Sequence, residues 1–511
     1  MPDVVIVGGG HNALVAAALL GRAGCDVTVL ERRDEPGGAA VSGRPFPGVD
    51  VQISRFAYLV SLLPDVLLAQ LGAAVELRRR PVASCTPDGP EALVVEDDAT
   101  RTRRSFEAVG AAADLPAFTL WQAQMRAVAG VVAPTLLQPL RPAADFAAAL
   151  GPQSWELIAE RPLGASLRER FASDLVRGVL LTDGLIGTLA HSEEPSLRQN
   201  RCFLYHVIGN GTGEWNVPVR GMGAVRDALA DAARAAGVRM VTGAEVVSVE
   251  ADGRRGLVTT ADGSRVESDV VLCGAAPAVL DGLLGRATSG TTADGAQVKV
   301  NMVVRRLPRL SSGVAPEVAF AGTLHVHERH SELDAAYADA GGGRLPDPIP
   351  CEVYCHSLTD PTILGPELRG SGAHTLSLFA LHTPARLFEA NHGTSREQAG
   401  AVCLRALQSV LAEPLDDVLL PMPDGRPCVE VHTPLDVEAE LAMPRGNIFH
   451  GDLQWPWAED DADVGRWGSE TDIANLFLCG SGVRRGGAVS GLGGHAGAMA
   501  ALEFLARRGQ L

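Results

Sequence analysis

The residues best suited to chemistry stand near the start of the chain, in a run rich in glycine. The run consists of Gly8, Gly9, Gly10, His11, Asn12 and Ala13, which fits the pattern G-x-G-x-x-G/A. In such a turn Gly8 permits the tight bend, Gly10 lets the backbone approach a pyrophosphate, and Ala13 lets a helix pack on a sheet. Free N–H groups at the helix start, where His11 and Asn12 lie, would then face the phosphates. The run predicts a dinucleotide site.

An acid and a second glycine pair follow at distances that suit the same ligand. Glu31 lies 23 residues after Gly8, where an acid can bind ribose hydroxyls. The residues that follow include Arg32, Arg33, Gly37, Gly38 and Ala39. A guanidinium can bridge pyrophosphate oxygens, and adjacent glycines let the backbone approach a ligand. A nicotinamide enzyme does not need this second element, so it favours FAD over NAD.

Two strands and a helix must hold these residues in place. Residues 3–7 read as a buried parallel strand, residues 12–24 as a helix that Gly24 ends, and residues 26–31 as a second strand. Together they predict a strand–helix–strand unit of about 30 residues. This unit gives the glycine run the context that a dinucleotide site requires.

The remaining chain divides into a helical stretch and further strands. Residues 115–200 look mainly helical, and Gly221 opens a helix that Gly237 ends. Strands are predicted over residues 238–241, 245–250, 256–260, 265–272, 296–306, 318–327, 350–356 and 373–382. We interpret the last four as a second, mixed sheet in a substrate-binding lobe. Residues 340–350 and 456–472 read as loops.

Length and charge limit the classes of partner. A chain of 511 residues predicts two or three lobes. A formal net charge of −17 disfavours nucleic acid, because phosphates repel an acidic protein. The run Arg78 to Arg80 is interpreted as a solvated turn.

The sequence contains no secretory signal and no spanning apolar stretch, and its nine cysteines are scattered. We therefore expect a cytoplasmic protein with reduced thiols. A peripheral contact with a membrane stays open.

The sequence resembles the flavin amine oxidase and phytoene desaturase superfamily over nearly its whole length, in segments. It is most similar to the branch named after the pyridine nucleotide-disulfide oxidoreductase domain-containing proteins. The glycine run with Glu31 matches that family's FAD site, and Arg33 with Gly37 and Gly38 matches its second pyrophosphate element. Further similar segments are residues 215–223, 299–301, 357–361, 446–452 and 475–491.

The resemblance implies a fold, a cofactor and further site residues. The implied fold is α/β, with a Rossmann-like FAD-binding domain of the glutathione-reductase type and a discontinuous α+β substrate domain that would have a mixed sheet and a helical layer. Residues 1–75, 215–295 and 435–511 would form the FAD-binding domain, and residues 76–214 and 296–434 the substrate domain. The backbone of Val247 would contact the adenine. The closing segment would add Gly480, Ser481, Val489 and Ser490 to the flavin site.

The sequence departs from the family near the expected flavin face. Arg484 and Arg485 stand where the family often has His-Pro, and residues 465–473 lack its Arg-Pro and Tyr-x-x-Pro. These departures leave the substrate and the electron acceptor open.

Three residues are candidates for catalysis, although a flavin supplies the redox chemistry and few side chains are obligatory. Lys299 could hold a water or a charge near flavin N5, or could be a surface lysine. His450 could transfer a proton, or could be structural. Arg484 could face the flavin or a substrate carboxylate, or could lie in a solvated turn. His11 is expected to start the helix rather than to catalyse.

A histidine group raises the question of a metal. His325, His327 and His330 are close in sequence, and the first two would share one face of a strand. No acid or cysteine pattern supports convergent ligands. We expect no metal site.

The leading functional hypothesis is an FAD-dependent dehydrogenase or desaturase that moves a hydride from a substrate C–H to flavin N5. The resemblance implies an apolar small molecule, such as a polyene or an acyl chain. A flavin amine oxidase that uses O2, a redox-neutral flavin isomerase, and a flavoprotein with a structural role are the alternatives. No second glycine fingerprint is visible, so O2, a quinone or another protein would accept the electrons. Monomer and homodimer both stay open.

Overall fold

The computed structural model describes residues 1–287 and 293–511. Among them, the strands are β1 (Asp3–Val7), β2 (Asp26–Leu30), β3 (Ser42–Gly43), β4 (Ile53–Ser54), β5 (Leu77–Arg78), β6 (Val82–Asp88), β7 (Glu91–Glu96), β8 (Val217–Pro218), β9 (Arg239–Val241), β10 (Val246–Ala251), β11 (Gly256–Thr260), β12 (Arg265–Ser268), β13 (Val270–Cys273), β14 (Val298–Val304), β15 (Thr323–Val326), β16 (Cys351–Tyr354), β17 (His374–Ala380), β18 (Val429–His432) and β19 (Leu476–Leu478).

The α-helices of the same residues connect these strands. They are α1 (His11–Arg22), α2 (Asp65–Leu71), α3 (Ala99–Ala108), α4 (Leu115–Val132), α5 (Ala143–Leu150), α6 (Pro152–Trp155), α7 (Leu163–Arg170), α8 (Asp174–Leu181), α9 (Arg198–Ile208), α10 (Met222–Ala235), α11 (Pro277–Leu283), α12 (Pro316–Ala319), α13 (His330–Gly341), α14 (His356–Thr359), α15 (Pro366–Ser371), α16 (His392–Ser409), α17 (Pro434–Leu441) and α18 (Leu492–Arg507).

A parallel sheet of five strands, in the order β19-β13-β1-β2-β9, carries the glycine run. Four of the five residues of β1 are buried, as a central strand covered on both faces requires. The glycine run leaves the carboxyl end of β1 and enters α1, and β2 returns beside β1. The predicted strand–helix–strand unit and the α/β fold class are confirmed.

Helices α1 and α18 approach each other closely because their contact surface consists of small residues. A Cβ added to Gly494 would lie 1.8 Å from the backbone oxygen of Asn12. Gly493 is similarly tight, since its added Cβ would lie 2.2 Å from the oxygen of Gly480. Glycine is therefore required here for the C-terminal helix to reach the start of α1.

The second sheet has seven strands in the order β18-β14-β17-β16-β15-β6-β7. It is mixed, because β15 pairs with β6 in parallel and the other pairs are antiparallel. Buried residues of α4, α7, α8 and α9 share one hydrophobic cluster with residues of β7, β16 and β17, so these helices form a layer against the sheet. The predicted mixed sheet and helical layer are confirmed.

Several sequence-based boundaries were wrong. The hairpin of β6 and β7 was not predicted, and the run 265–272 is two strands that end in different sheets. β12 joins the antiparallel sheet β10-β11-β12, whereas β13 joins the parallel sheet.

The assignment of chain segments to two domains stays a prediction, and its segment 215–295 includes residues 288–292, which lie outside the described residues. Within the described part of the chain, no helix has the length and apolarity needed to cross a membrane.

We predict that Gly494→Ala destabilises the protein, because the new methyl group overlaps the oxygen of Asn12. Overpacking of this kind costs about 1–3 kcal/mol, so calorimetry should show a lower Tm. The matched control is Gly130→Ala in the last turn of α4, where an added Cβ meets nothing within 4 Å. This control should be neutral or stabilise by about 0.5–1 kcal/mol. Equal Tm values for the two variants would contradict the tight packing of α1 on α18.

Candidate functional site

The glycine run leaves open space at the start of α1. Gly8 has φ +85°, in the left-handed region that glycine adopts without strain, and its N–H donates to the oxygen of Leu30 at 2.8 Å. Gly10 directly precedes α1 with φ −64°. A Cβ added to Gly10 would meet no atom within 4 Å. The helix N-terminus therefore faces a volume that a phosphate group can enter.

Glu31 and the second glycine pair lie against this turn. The buried carboxylate of Glu31 accepts hydrogen bonds from the N–H groups of Gly9, at 2.6 Å, and Arg33, at 2.9 Å. The N–H of Gly37 donates to the oxygen of Gly9 at 2.7 Å. A Cβ on Gly38 would stand 3.2 Å from the Cα of Gly10. The two glycine segments thus form one backbone surface.

The two arginines that follow Glu31 differ in their contacts. Nη2 of Arg32 donates to the backbone oxygens of Ala439 and Glu440 at the end of α17, at 3.2 and 2.9 Å. Nη1 of Arg33 is buried and has no hydrogen-bond partner among the described residues. A buried guanidinium nitrogen without a protein partner is free to bind a phosphate oxygen. The residues present therefore fit this cofactor, with Arg33 better placed than Arg32.

The closing segment contacts the start of α1. Nδ2 of Asn12 lies 3.5 Å from Oγ of Ser481 and donates to the oxygen of Gly486 at 3.3 Å. Oγ of Ser490 accepts from the N–H of Leu492, the first residue of α18, at 3.3 Å. The N-termini of α1 and α18 are therefore joined through residues 480–490.

Val247 stands apart from these contacts. It lies in β10 at an irregularity in the pairing with β11, and its side chain is 50% exposed. Its contact with an adenine through the backbone stays a prediction.

Two histidines occupy the same region. Nε2 of His11 is 3.1 Å from the oxygen of Ala488, and burial lowers the pKa of His11 to about 4. Burial also lowers the pKa of His450 to about 4, with a smaller contribution from His11. Nδ1 of His450 has no hydrogen-bond partner among the described residues. Both rings are neutral near pH 7, and one nitrogen of a neutral imidazole can accept a proton.

The guanidinium of Arg484 forms hydrogen bonds and ion pairs with other groups of the protein. Its guanidinium donates to the backbone oxygens of Trp455 and Trp457, at 3.4 and 2.8 Å, and to the carboxylates of Glu459 and Asp463, each at 3.1 Å. It is 9% exposed, so the alternative of a solvated turn was wrong. These contacts fix the loop 455–463 against the closing segment. A direct role of Arg484 in catalysis stays a prediction.

Lys299 is the one lysine in the sequence, and it is buried on β14. Its Nζ donates to the backbone oxygens of Ser54, at 2.6 Å, and Phe56, at 2.8 Å, and lies 4.6 Å from the centre of the Tyr58 ring. The alternative of a surface lysine was therefore wrong. Burial lowers the pKa of Lys299 well below its ordinary value, although a charge on Glu430 acts in the opposite direction.

A cavity of about 580 Å³ begins at the predicted flavin site, a volume typical of small-molecule sites. Predicted cofactor residues that line it are His11, Ala39, Ser481 and Val489. Lys299 also lines it. Much of the cavity wall is apolar, with Leu59, Leu62, Val179, Leu180, Phe379 and Leu453. The cavity can hold an apolar small molecule next to the cofactor residues.

One part of the cavity wall carries charged groups, buried or half-buried, that the sequence did not reveal. Asp183, Glu352 and Arg80 line this part. Burial raises the pKa of Asp183 and of Glu352. Nη1 of Arg80 donates to Oγ1 of Thr323 at 3.1 Å, so the interpretation of Arg78–Arg80 as a solvated turn was wrong for Arg80. Arg79, in contrast, is exposed and pairs with Asp97.

The comparison with known proteins identifies the family. A profile described as flavin containing amine oxidoreductase matches residues 14–420. An uncharacterised protein of Mycobacterium tuberculosis is 49% identical, over 99% of this chain and 98% of that protein. Pyridine nucleotide-disulfide oxidoreductase domain-containing protein 2 of Mus musculus is 31% identical, over 96% and 92%. Hydroxyneurosporene desaturase of Rhodobacter capsulatus is 29% identical, over 68% and 70%.

Solved structures agree on the fold. A putrescine oxidase bound to putrescine matches with a TM-score of 0.61 and 17% identity over 99% of each chain. The chain belongs to the flavin-containing amine oxidoreductase family. It is an FAD-dependent oxidoreductase, as the sequence predicted.

We predict that Gly10→Ala weakens FAD binding without unfolding the protein. The added methyl group meets no protein atom, so it would occupy only the space into which a phosphate would enter. We expect the Kd for FAD, measured by fluorescence titration of the FAD-free protein, to rise at least about tenfold, which equals about 1.4 kcal/mol. The Tm of the FAD-free protein should not change. An unchanged Kd would show that the pyrophosphate does not approach Gly10.

The single lysine allows a direct test of its protonation. Protein grown with [ε-13C]lysine should give one ε-methylene signal, whose pH titration reports the pKa of Lys299. We expect a midpoint below that of free lysine, because burial is the largest effect on this amine. The unfolded chain then binds the proton more readily, so stability should rise with pH between the two pKa values. A midpoint at or above the value of free lysine would mean that the two backbone oxygens and the Tyr58 ring stabilise the charged amine more than burial destabilises it.

Proposed function

We propose that this protein is an FAD-dependent dehydrogenase or desaturase that oxidises a C–H bond of an apolar small molecule, such as a polyene or an acyl chain. The observation that carries the proposal is the cavity, whose largely apolar wall extends from the predicted cofactor residues. Bound FAD supplies the hydride acceptor, flavin N5. The apolar wall would exclude water and hold the substrate by burial of its surface.

Side chains of the protein would position groups near the cofactor and accept a proton from the substrate. Lys299 would hold a water or a charge at the cofactor end of the cavity, since its amine is fixed by the oxygens of Ser54 and Phe56. Neutral His450, with Nδ1 free of hydrogen bonds among the described residues, would accept a proton. Arg484 would act as a positioning group that holds loop 455–463 through Glu459 and Asp463.

A flavin amine oxidase that uses O2 is the second candidate. The carboxyl groups of Asp183 and Glu352 line the cavity, and an ionised carboxylate attracts the cation of an amine. A solved neighbour of similar fold carries the name putrescine oxidase, whereas a sequence relative carries the name hydroxyneurosporene desaturase. The apolar remainder of the wall favours the first candidate over the second.

The partners and the location are part of the same proposal. O2, a quinone or another protein would take the electrons from the reduced cofactor. All nine cysteines are free and buried, which fits reduced thiols in a cytosol. A peripheral contact with a membrane would give an apolar substrate a route to the cavity. Either a monomer or a homodimer would serve this function.

We predict that anaerobic mixing with a polyene or acyl-chain compound bleaches the flavin absorbance near ~450 nm. Lys299→Met should slow this bleaching by about 10²–10³, the range for the loss of one electrostatic donor, and should leave the bound flavin in place. The control is Arg305→Met, which removes an exposed cation just beyond the same strand.

Other outcomes separate the alternatives. Bleaching by amines alone, with hydrogen peroxide formed when O2 is admitted, would establish the amine oxidase. Turnover without bleaching would indicate a flavin isomerase. Flavin that no compound reduces or turns over would favour a structural role and contradict the proposal.

A further inference from the structure

Three side chains with the chemistry of metal ligands converge beside the cavity. His325 on β15 and Glu352 on β16 are opposite each other in the register of the mixed sheet. Glu328 follows β15, and its carboxylate joins them. One ligand atom from each of the three lies within 4.8 Å of the others. All three residues are buried, with Glu328 only 1% exposed.

The backbone holds Glu328 in this position. β15 ends at Val326, and His327 has φ +56°, a left-handed conformation that reverses the chain. Helix α8 covers the turn, since a Cβ on Gly178 would lie 1.8 Å from the backbone oxygen of Glu328. The two other histidines point elsewhere. His327 contacts Glu332 and Ser409, and His330 contacts Arg168 and Asp334.

The carboxylate of Glu328 has no hydrogen-bond partner among the described residues. Oε2 of Glu328 lies 3.6 Å from Nδ1 of His325. A buried carboxylate without donors is costly, and a metal ion is one of the few groups that compensates it. This free carboxylate lies in the same space as His325 and Glu352, and therefore points to a ligand.

The charges around the group also favour a cation. The carboxyl groups of Asp183, Glu328 and Glu352 act on one another electrostatically, and the guanidinium of Arg80 acts on two of them. If all are ionised, three negative charges and one positive charge leave a formal charge of −2. Glu332 also acts electrostatically on Glu328, but its carboxylate lies outside the group, 3.4 Å from Nδ1 of His327. A divalent cation would balance the charge.

The surroundings supply the support that metal ligands need. Glu352 accepts from the hydroxyl of Thr182 at 3.3 Å and from that of Tyr354. Ligands whose own positions are fixed by hydrogen bonds are characteristic of metal sites.

We propose that His325, Glu328 and Glu352 form a binding site for a divalent cation of the first transition row, such as Mn²⁺ or Zn²⁺. One imidazole and two carboxylates are a nitrogen and oxygen donor set that suits these ions. His325 and Glu352 line the cavity, so further coordination positions face its interior, where an oxygen atom of a substrate can bind. The proposal departs from the expectation, drawn from the sequence, that no metal is bound, and it is independent of the proposed reaction.

The test uses the FAD-loaded protein, dialysed against Mn²⁺ or Zn²⁺ and then against metal-free buffer. Elemental analysis should find about one equivalent of metal per chain. Glu328→Gln keeps the size of the side chain and should weaken binding at least about tenfold. The matched control is Glu332→Gln, four residues away, where glutamine can still serve in the capping box at the start of α13. The control should bind metal like the wild type.

Wild-type protein that retains less than about a tenth of an equivalent of either metal would overturn the proposal, and the carboxyl groups would then be neutralised by protons. Equal binding by Glu328→Gln and the wild type would overturn it as well. If Glu328→Gln does not fold, Zn²⁺ X-ray absorption of the wild type decides the question. One imidazole with oxygen ligands is expected, whereas sulfur or several imidazoles would refute the site.

Discussion

The close contact between the starts of helices α1 and α18 is the constraint on which the rest of the structure depends. It joins the first and the last parts of the chain, because Gly494 lies against the backbone of Asn12. Asn12 in turn contacts Ser481 and Gly486 in the closing segment. Two helix N-termini therefore point into one region, where their dipoles favour negative charge. Both the pyrophosphate and a reduced flavin ring carry such charge.

The same contact determines where the substrate cavity begins. The closing segment supplies Ser481, Ala488 and Val489 to the cavity wall, and Arg484 ties loop 455–463 to this segment. The cofactor face is thus built by residues that are almost 500 positions apart. The substrate lobe then adds a wall from α8, β14 and β16.

The sequence predicted the local part of this arrangement well. The strand–helix–strand unit, the glycine pairs and Glu31 lie within 40 residues, and their spacing alone encodes their geometry. The hairpin of β6 and β7 escaped prediction because β6 carries Pro87 near its turn and joins the sheet through a parallel pair with β15, more than 200 residues away. Such a pairing leaves no periodic signal in a single sequence.

The buried charged group escaped prediction for a related reason. Glu328 meets His325 only because His327 adopts a left-handed conformation, and Glu352 joins them through strand register. Neither fact can be read from a pattern of residue types. Lys299 did carry a usable signal in the sequence. Of the 44 lysine and arginine residues it is the one lysine, which sets its position apart from all the others. The whole side chain lies inside the protein. Burial can shift the pKa of a lysine amine, whereas a guanidinium stays charged.

That distribution gives the molecule an unusual surface. Every exposed cation of the described residues is a guanidinium, a histidine or the N-terminal amine, because the one ε-amine is buried. Acylating reagents, bifunctional amine cross-linkers and enzymes that attach groups to lysine would find no ε-amine outside the cavity. Covalent modification of amines is thereby limited to the N-terminal amine and to Lys299 in the interior. Attachment of the protein to a support through the terminus would leave its remaining surface chemically untouched.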